Sequence, residues 1–506
     1  MMKKFNRYAQ NIVLALRKRN IHPTGVSIDS RRVKKGDLFL AFKDSISDRR
    51  QFVLQAVKKG AVAILWQSEN DEFEKNFTST VENLRVPLVK AERLRDLAGF
   101  LAQNVLGYPS EKLQIIAITG TNGKTTISQA LGALFPKTCA VIGTLGAGNS
   151  RALKETGLTT PEAPDLENLL ADFVQENVAA VALEASSIGI EEGRLNGMRI
   201  DTAIFTNLTR DHLDYHGNMQ NYAASKMRLF TWEKLRCAII NVDDAFGVEI
   251  AQNTSACRIL RYGIQDENSK SIEKQIWAEN VVLDAQTARQ RFDLVLPSAR
   301  LFVETLLLGR HNVYNLLAVA AVLWEAGVKP IDIAEKIKSL SAPPGRLERV
   351  LMDNAPLVLV DFAHTPDALE NALKSLIPLK EARQGKLWVV FGCGGNRDKG
   401  KRPVMGKIAS QYAERVLVTS DNPRDEEPVQ IALEIVAGIE GDFTLLPDRQ
   451  YAIDYAIQKA AKEDVILIAG KGHETYQEIK GVKHPFLDKS AAEAALKKFW
   501  GEASNE

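Results

Sequence analysis

One stretch constrains this chain more than any other: LQIIAITGTNGKTTISQA, residues 113–130. Its apolar run ends at Thr119, polar and glycine residues follow, and helix-forming sequence begins near Lys124. A strand, a glycine turn and a helix N-terminus in that order form the opening half of a strand–helix crossover, the unit that joins parallel strands. The turn's backbone N–H groups and the helix dipole suit a polyphosphate. Lys124 adds a mobile positive charge, and the hydroxyl of Thr125 or Thr126 can sit on Mg²⁺. Gly120, Thr121, Asn122, Gly123, Lys124, Thr125 and Thr126 are therefore the candidate nucleotide loop. The loop departs from GxxxxGK[ST], because Ile118 stands where the first glycine is expected. A glycine turn with a solvated lysine is the bland alternative, and the flanking strand and helix weigh against it.

The rest of the chain repeats this punctuation. Apolar runs at 178–185, 201–207, 237–242, 356–363, 386–392, 414–420 and 464–470 each lead into a polar cluster. Their continuous apolarity predicts strands buried on both faces, and ligands in open parallel sheets bind beyond the carboxyl ends of strands. Alternation between 288 and 307 predicts antiparallel hairpins instead. With 506 residues the chain exceeds one core. The expected fold is α/β in three modules: a small α/β module at 1–110, a central module at 111–340 with the glycine loop and a largely parallel sheet, and a module at 341–506 that again alternates strands and helices. Turn signals at Gly107, Tyr108 and Pro109, and at Pro343, Pro344 and Gly345, set the boundaries. Lys plus Arg number 65 against 63 Asp plus Glu, so no global field favours nucleic acid. Four cysteines without paired spacing give neither a zinc motif nor a disulfide framework. The cationic N-terminus has an apolar segment too short for a signal sequence or a membrane span, so a cytoplasmic location without membrane insertion is expected.

The clusters carry chemistry. Glu184, at a strand end before Ser186 and Ser187, can anchor Mg²⁺ or cap the next helix. Asp211, His212 and Asp214 follow another strand, as a metal neighbour or as a hydrogen-bonded turn. Lys226 reads locally as a salt-bridged or solvated helix residue, since an ammonium beside metal ions would be repelled. Asn312 and Asn315 share a helix face and can read an adenine edge, although N-capping explains one of them equally well. Asp361 and His364 stand at a further strand end, and GCGGNRDKGKR (392–402) forms a basic glycine turn. In SDNPR (420–424) the proline fixes Arg424, whose planar fork suits a carboxylate, relative to Asp421 and Asn422.

Together, GTNGKTT, LTTPEAP, EASS, TNLTRDHLDYHG, YAASKMRLF, GRHNVYN, PPGRLER, DFAHTPDAL, GCGGNRDKGKRP, SDNPR and GKGHE occur in an order that resembles the Mur ligases, with DSRRVKKGDLFLAF extending the likeness into the first module. The resemblance implies three domains, 1–110 for the uridine nucleotide, 111–340 a P-loop ATPase and 341–506 a Rossmann-like domain for the amino acid, and an ADP-forming acid–amino-acid ligase of peptidoglycan precursor synthesis. ATP would phosphorylate a carboxylate of UDP-N-acetylmuramoyl-L-alanyl-D-glutamate, and the amine of the incoming amino acid would attack the acyl phosphate. The family's matching lysine is carbamylated, which overturns the local reading of Lys226. By the same resemblance the Mg²⁺ ligands are Thr125, Glu184, His212 and carbamylated Lys226, with Lys124 catalytic alongside the last three. ATP would meet the loop together with Asn312, Asn315 and Arg346. The nucleotide peptide would meet Ile28, Ser30, Ser45, Ile46, Ser47, Thr159, Thr160, Ser186, Glu192 and Arg194. The amino acid would meet Arg397, Asp421, Asn422, Pro423, Arg424, Gly470 and Glu474.

DNPR is the form associated with meso-diaminopimelate, whose distal carboxylate would pair Arg424 and whose distal ammonium would pair Glu474. L-Lysine lacks that carboxylate and would leave a buried Arg424 unpaired, at a cost of roughly a few kcal/mol. Ile188, Leu158, Glu192 and Arg49 depart from the family pattern around the nucleotide-peptide contacts. The lysine-adding enzyme, a folylpolyglutamate-type ligase and a nucleotide-regulated binding protein that has lost catalysis are the alternatives; a monomer is the expected state.

Overall fold

The computed structural model describes residues 2–44, 47–74, 84–150, 152–265, 273–284 and 288–501. Three sheets follow one another along the chain, with a small hairpin near its end. In the first, Gly25–Ser27, Asp37–Ala41, Ala63–Trp66 and Leu88–Lys90 are all parallel. Side chains alternate across a strand. Leu38 and Leu40 therefore pack under the helices Met2–Lys18 and Leu94–Leu106, while Phe39 and Ala41 pack against the helix Val53–Lys58.

The second sheet has eleven strands. Its centre sets Cys139–Gly143, Ala180–Glu184, Gln114–Thr119, Thr202–Phe205, Cys237–Asn241 and Arg258–Ile264 side by side and parallel. Ile116 and Ile118 face one core with Ile127 and Leu131 of the helix Lys124–Leu134 and the apolar side of Arg310–Glu325. Ile115 and Ala117 face another, with Leu166 and Leu170 of Ala163–Gln175 and Leu229 of Met219–Phe230. Both faces are covered, which is why the strand sequences do not alternate. The alternating segment forms the antiparallel pair Arg289–Leu296 and Ala299–Thr305 at one edge, as expected.

The third sheet runs Glu348–Val350, Leu357–Asp361, Val465–Ala469, Leu387–Phe391, Arg415–Val418, Thr444–Leu445, antiparallel only at its first pair. No helix among the described residues is long and apolar enough to cross a membrane.

Candidate active site

Strand register builds the centre of the site. Ile118 pairs with Glu184, so the glycine loop and the Glu184 carboxylate leave adjacent strands at the same level. Thr125 Oγ1 donates to Glu184 Oε2 at 3.1 Å, Thr144 Oγ1 donates to the same oxygen at 3.1 Å, and the Thr144 N–H donates to Oε1 at 3.2 Å. Glu184 does not cap the following helix; Ser186 does, accepting from the Gly189 N–H at 3.1 Å. Gly120 and Gly123 have φ of 146° and 90°, and a Cβ would strike the Thr206 hydroxyl at the first and the Asn315 amide at the second. Lys124 folds back over the loop and donates to the carbonyls of Gly120 and Thr121, at 2.8 Å each. Burial lowers its pKa, while Glu184 and Asp211 oppose the shift.

Four further groups close around this loop. Arg346 donates to Thr125 Oγ1 at 3.3 Å and lies over the Phe362 ring, and its buried Nε has no partner. His212 has φ of 52° and sits with Nε2 3.4 Å from Asp211 Oδ2. Tyr222 brings its hydroxyl within 3.1 Å of Thr121 Oγ1. Lys226 is 1% exposed, with Nζ 4.2 Å from the Tyr222 ring centroid and no hydrogen bond or ion pair among the described residues. It is thus neither solvated nor salt-bridged, and burial first, then Lys124, pushes its pKa well down. Lys124, Thr125, Glu184, His212, Lys226 and Arg346 line one cavity of 220 Å³.

That cavity adjoins two others. On one side Asn122, Gly123 and Arg346 also line a 290 Å³ cavity with Asn312, Asn315, His311 and Tyr314. N-capping by either asparagine is excluded, because Gly309 is the cap residue. Asn312 Nδ2 donates to the Leu308 carbonyl at 2.8 Å, and Asn315 Nδ2 donates to Asn312 Oδ1 at 2.9 Å. On the other side Asp211, His212, Phe362 and His364 are shared with a 450 Å³ cavity, which Arg397, Asp421, Asn422, Arg424, Gly470 and Glu474 also line. Pro423 shapes the turn without lining it. Burial lowers the His364 pKa to about 4 and raises that of Asp361 to about 6.

The unpaired Arg424 expected in the absence of a ligand carboxylate is not found. Its Nε lies 3.2 Å from Glu478 Oε2, Nη1 donates to the Gly395 carbonyl at 2.9 Å, and its side chain is 21% exposed. Glu474 Oε2 likewise accepts from Asn422 at 2.8 Å and from Lys471 at 2.9 Å. Lys471 is fully buried, although a lysine between two glycines carries no burial signal in the sequence.

The nucleotide-peptide candidates form two groups. Thr159, Thr160, Ser186, Glu192 and Arg194 surround the end of the Ala180–Glu184 strand. The Thr160 hydroxyl is already engaged, donating to the Glu184 carbonyl at 2.7 Å. Ile28 and Ser30 are buried beside the first sheet, where Ser30 donates to Gln55 at 2.8 Å. Ser47 follows with its N–H on Asp44 Oδ1 at 2.8 Å, while Ser45 and Ile46 lie outside the described residues. Arg95 joins the groups, 2.8 Å from Glu192 and 3.3 Å from Asp44. Two of the departures from the family pattern are compensated: Glu192 meets Arg95 and Arg194, and Arg49 pairs with Asp44.

A metal fits this centre only in part as the side chains stand. The Thr125 hydroxyl and the Glu184 carboxylate are adjacent oxygen donors, which suits a Mg²⁺ held mainly by phosphate and water. His212 with an ammonium at Lys226 is not a cation site, and no cluster of three or more His, Cys, Asp or Glu capable of holding a metal occurs among the described residues.

Residues 22–105 match the family described as Mur ligase family, catalytic domain; residues 118–323 match the Mur ligase middle domain, and residues 345–472 the Mur ligase, glutamate ligase domain. The chain is 43% identical over 483 residues to the UDP-N-acetylmuramoyl-L-alanyl-D-glutamate–2,6-diaminopimelate ligase of Chromobacterium violaceum, covering 94% of each chain. A solved structure of a ligase of the same name superposes with a TM-score of 0.64 at 36% identity, over 94% of this chain and 95% of that one. A MurF ligase from Thermotoga maritima in complex with ADP shares the fold, with a TM-score of 0.62 at 15% identity over 95% and 98% of the two chains.

Proposed function

The chain belongs to the Mur ligase family, and from that premise we propose that it joins meso-2,6-diaminopimelate to UDP-N-acetylmuramoyl-L-alanyl-D-glutamate with cleavage of ATP to ADP and phosphate. The observation that carries the reading is the run of three adjoining cavities: one beside Asn312 and Asn315, one around Lys124, and one beside Arg424. In this reading the 1–110 domain holds the uridine nucleotide, the 111–340 domain ATP, and the 341–506 domain the amino acid. The enzyme works as a cytoplasmic monomer.

Adenine lies beside Asn312 and Asn315, and the polyphosphate follows the loop to Lys124. Lys124 and Arg346, both desolvated and incompletely paired, stabilise the charge that gathers as the γ-phosphoryl group passes to the glutamate γ-carboxylate. The diaminopimelate amine then attacks the acyl phosphate, and phosphate leaves from the tetrahedral intermediate. Thr125 and Glu184 would hold one Mg²⁺, which neutralises phosphate charge when bound. His212 and Lys226 would hold a second once Lys226 is a carbamate. Its buried, unpaired amine favours the neutral form that adds CO₂, giving an N-carboxylate and releasing a proton. The test is phosphate release with the nucleotide dipeptide, ATP and Mg²⁺, offering diaminopimelate or L-lysine in turn. Release with diaminopimelate is expected; none with either amino acid overturns the ligase.

A further inference from the structure

Arg424 is an unusual residue in its own backbone. Its φ of 49° lies in the left-handed region that side chains other than glycine seldom adopt, so something must hold it there. The hairpin Tyr476–Ile479 and Val482–Pro485 does so. The Arg424 N–H donates to the Glu478 carbonyl at 3.0 Å, and the Lys480 N–H donates to the Arg424 carbonyl at 2.8 Å. Beside these, the Glu478 N–H donates to Asn422 Oδ1 at 2.9 Å, and Gln477 Nε2 donates to the Asp421 carbonyl at 2.7 Å. Every residue of the turn from Asp421 to Arg424, apart from the proline, is thus tied to one strand of this hairpin.

The side chains continue the arrangement. Glu478 Oε2 sits 3.2 Å from Arg424 Nε, and the Gly395 carbonyl takes Nη1 at 2.9 Å. Glu478 does not line the 450 Å³ cavity, whereas Arg424 does. A guanidinium anchored at Nε and at one Nη keeps its remaining N–H edge in a fixed direction, and a donor already oriented loses less freedom when a carboxylate arrives. Glu478 also offsets part of the cation's charge, which disfavours anions that cannot use the oriented edge.

We propose that Glu478 is a positioning residue for amino-acid selection: it holds the Arg424 guanidinium in the orientation that receives the second carboxylate of the amino-acid substrate. The proposal rests on the diaminopimelate ligase reading above. Glu478 touches no substrate and acts through Arg424 alone. Its backbone bonds to the turn do not depend on the side chain, so side-chain substitution leaves the clamp in place.

The experiment measures steady-state phosphate release by wild type, Glu478→Ala and Glu478→Gln, with diaminopimelate and L-lysine as separate substrates. For Glu478→Ala, KM for diaminopimelate should rise roughly three- to five-fold, the upper end for one partly exposed charged contact. The kcat, KM for ATP and KM for L-lysine should stay within about two-fold, since lysine brings no carboxylate to Arg424. Glu478→Gln, which can still accept from Nε, should recover most of the affinity. An unchanged KM for diaminopimelate in Glu478→Ala, or an equal rise for lysine and ATP, would overturn the positioning role. Wild type that releases phosphate with neither amino acid would instead overturn the ligase reading, and this inference with it.

Discussion

Replacing Lys226 with alanine tests the centre of the site. As an ammonium, Lys226 would repel Lys124 and Arg346 in the 220 Å³ cavity that all three line, and its removal would relieve that repulsion and cost little activity. As a carbamate it is a buried anion beside cations, and the opposite result follows. A unit charge pair about 4 Å apart at an effective dielectric near 20 is worth ~4 kcal/mol. That energy corresponds to roughly 10³-fold in rate. The assay is phosphate release with ATP, Mg²⁺, the nucleotide dipeptide and diaminopimelate. Lys226→Ala should lose about two to three orders of magnitude in kcat, the range for removing one preorganised electrostatic group. Formate or acetate should restore part of it by supplying a carboxylate to the vacated space. Burial and Lys124 depress the amine's pKa, so the neutral amine that binds CO₂ persists down to lower pH than in a free lysine. Acidification protonates it and should reduce wild-type activity, reversibly with added bicarbonate. Wild-type kcat in Lys226→Ala, or wild type incubated with ¹³CO₂ showing no carbamate resonance, would refute the argument.

Other outcomes follow from particular contacts. Arg424→Ala should raise KM for diaminopimelate about 10- to 30-fold but leave L-lysine unaffected, since only diaminopimelate brings a second carboxylate to the cavity Arg424 lines, as steady-state kinetics will show. Asp488→Ala should destabilise the fold by about 3–5 kcal/mol in denaturant titration, since Arg449, fully buried, loses carboxylate contacts at 2.7 and 2.8 Å and keeps only carbonyl partners. Glu167 is buried with Gln103 as its polar neighbour, and burial raises its pKa from 4.5 to about 8. The folded state therefore prefers the protonated acid, and stability falls as pH rises between those values, by up to about 1.4 kcal/mol per unit. Chemical denaturation of Glu167→Gln should lack this slope, and parallel slopes in the two proteins would exclude Glu167 as its source.

The sequence by itself determined the strands, because burial on both faces forces continuous apolar runs, and it determined the glycine loop, because only particular residues tolerate that backbone beside a phosphate. It also marked Glu184, His212 and Asp421 as strand-end residues, since chemistry in parallel sheets collects there. Sequence could not say which strand ends are neighbours. Ile118 and Glu184 pair because Ala180–Glu184 lies beside Gln114–Thr119, although 66 residues separate them in number. Nor could local reading find the environment of a charge. Lys226 reads locally as salt-bridged or solvated and is buried, Arg424 reads as a partner for a ligand carboxylate and is also held by Glu478, and Lys471 gives no sign of lying beneath Glu474. Those facts depend on long-range packing, which fixes both the solvation of an ionised group and the identity of its counter-charge. The residue types were written along the chain; the electrostatics that give them their roles came only with the tertiary structure.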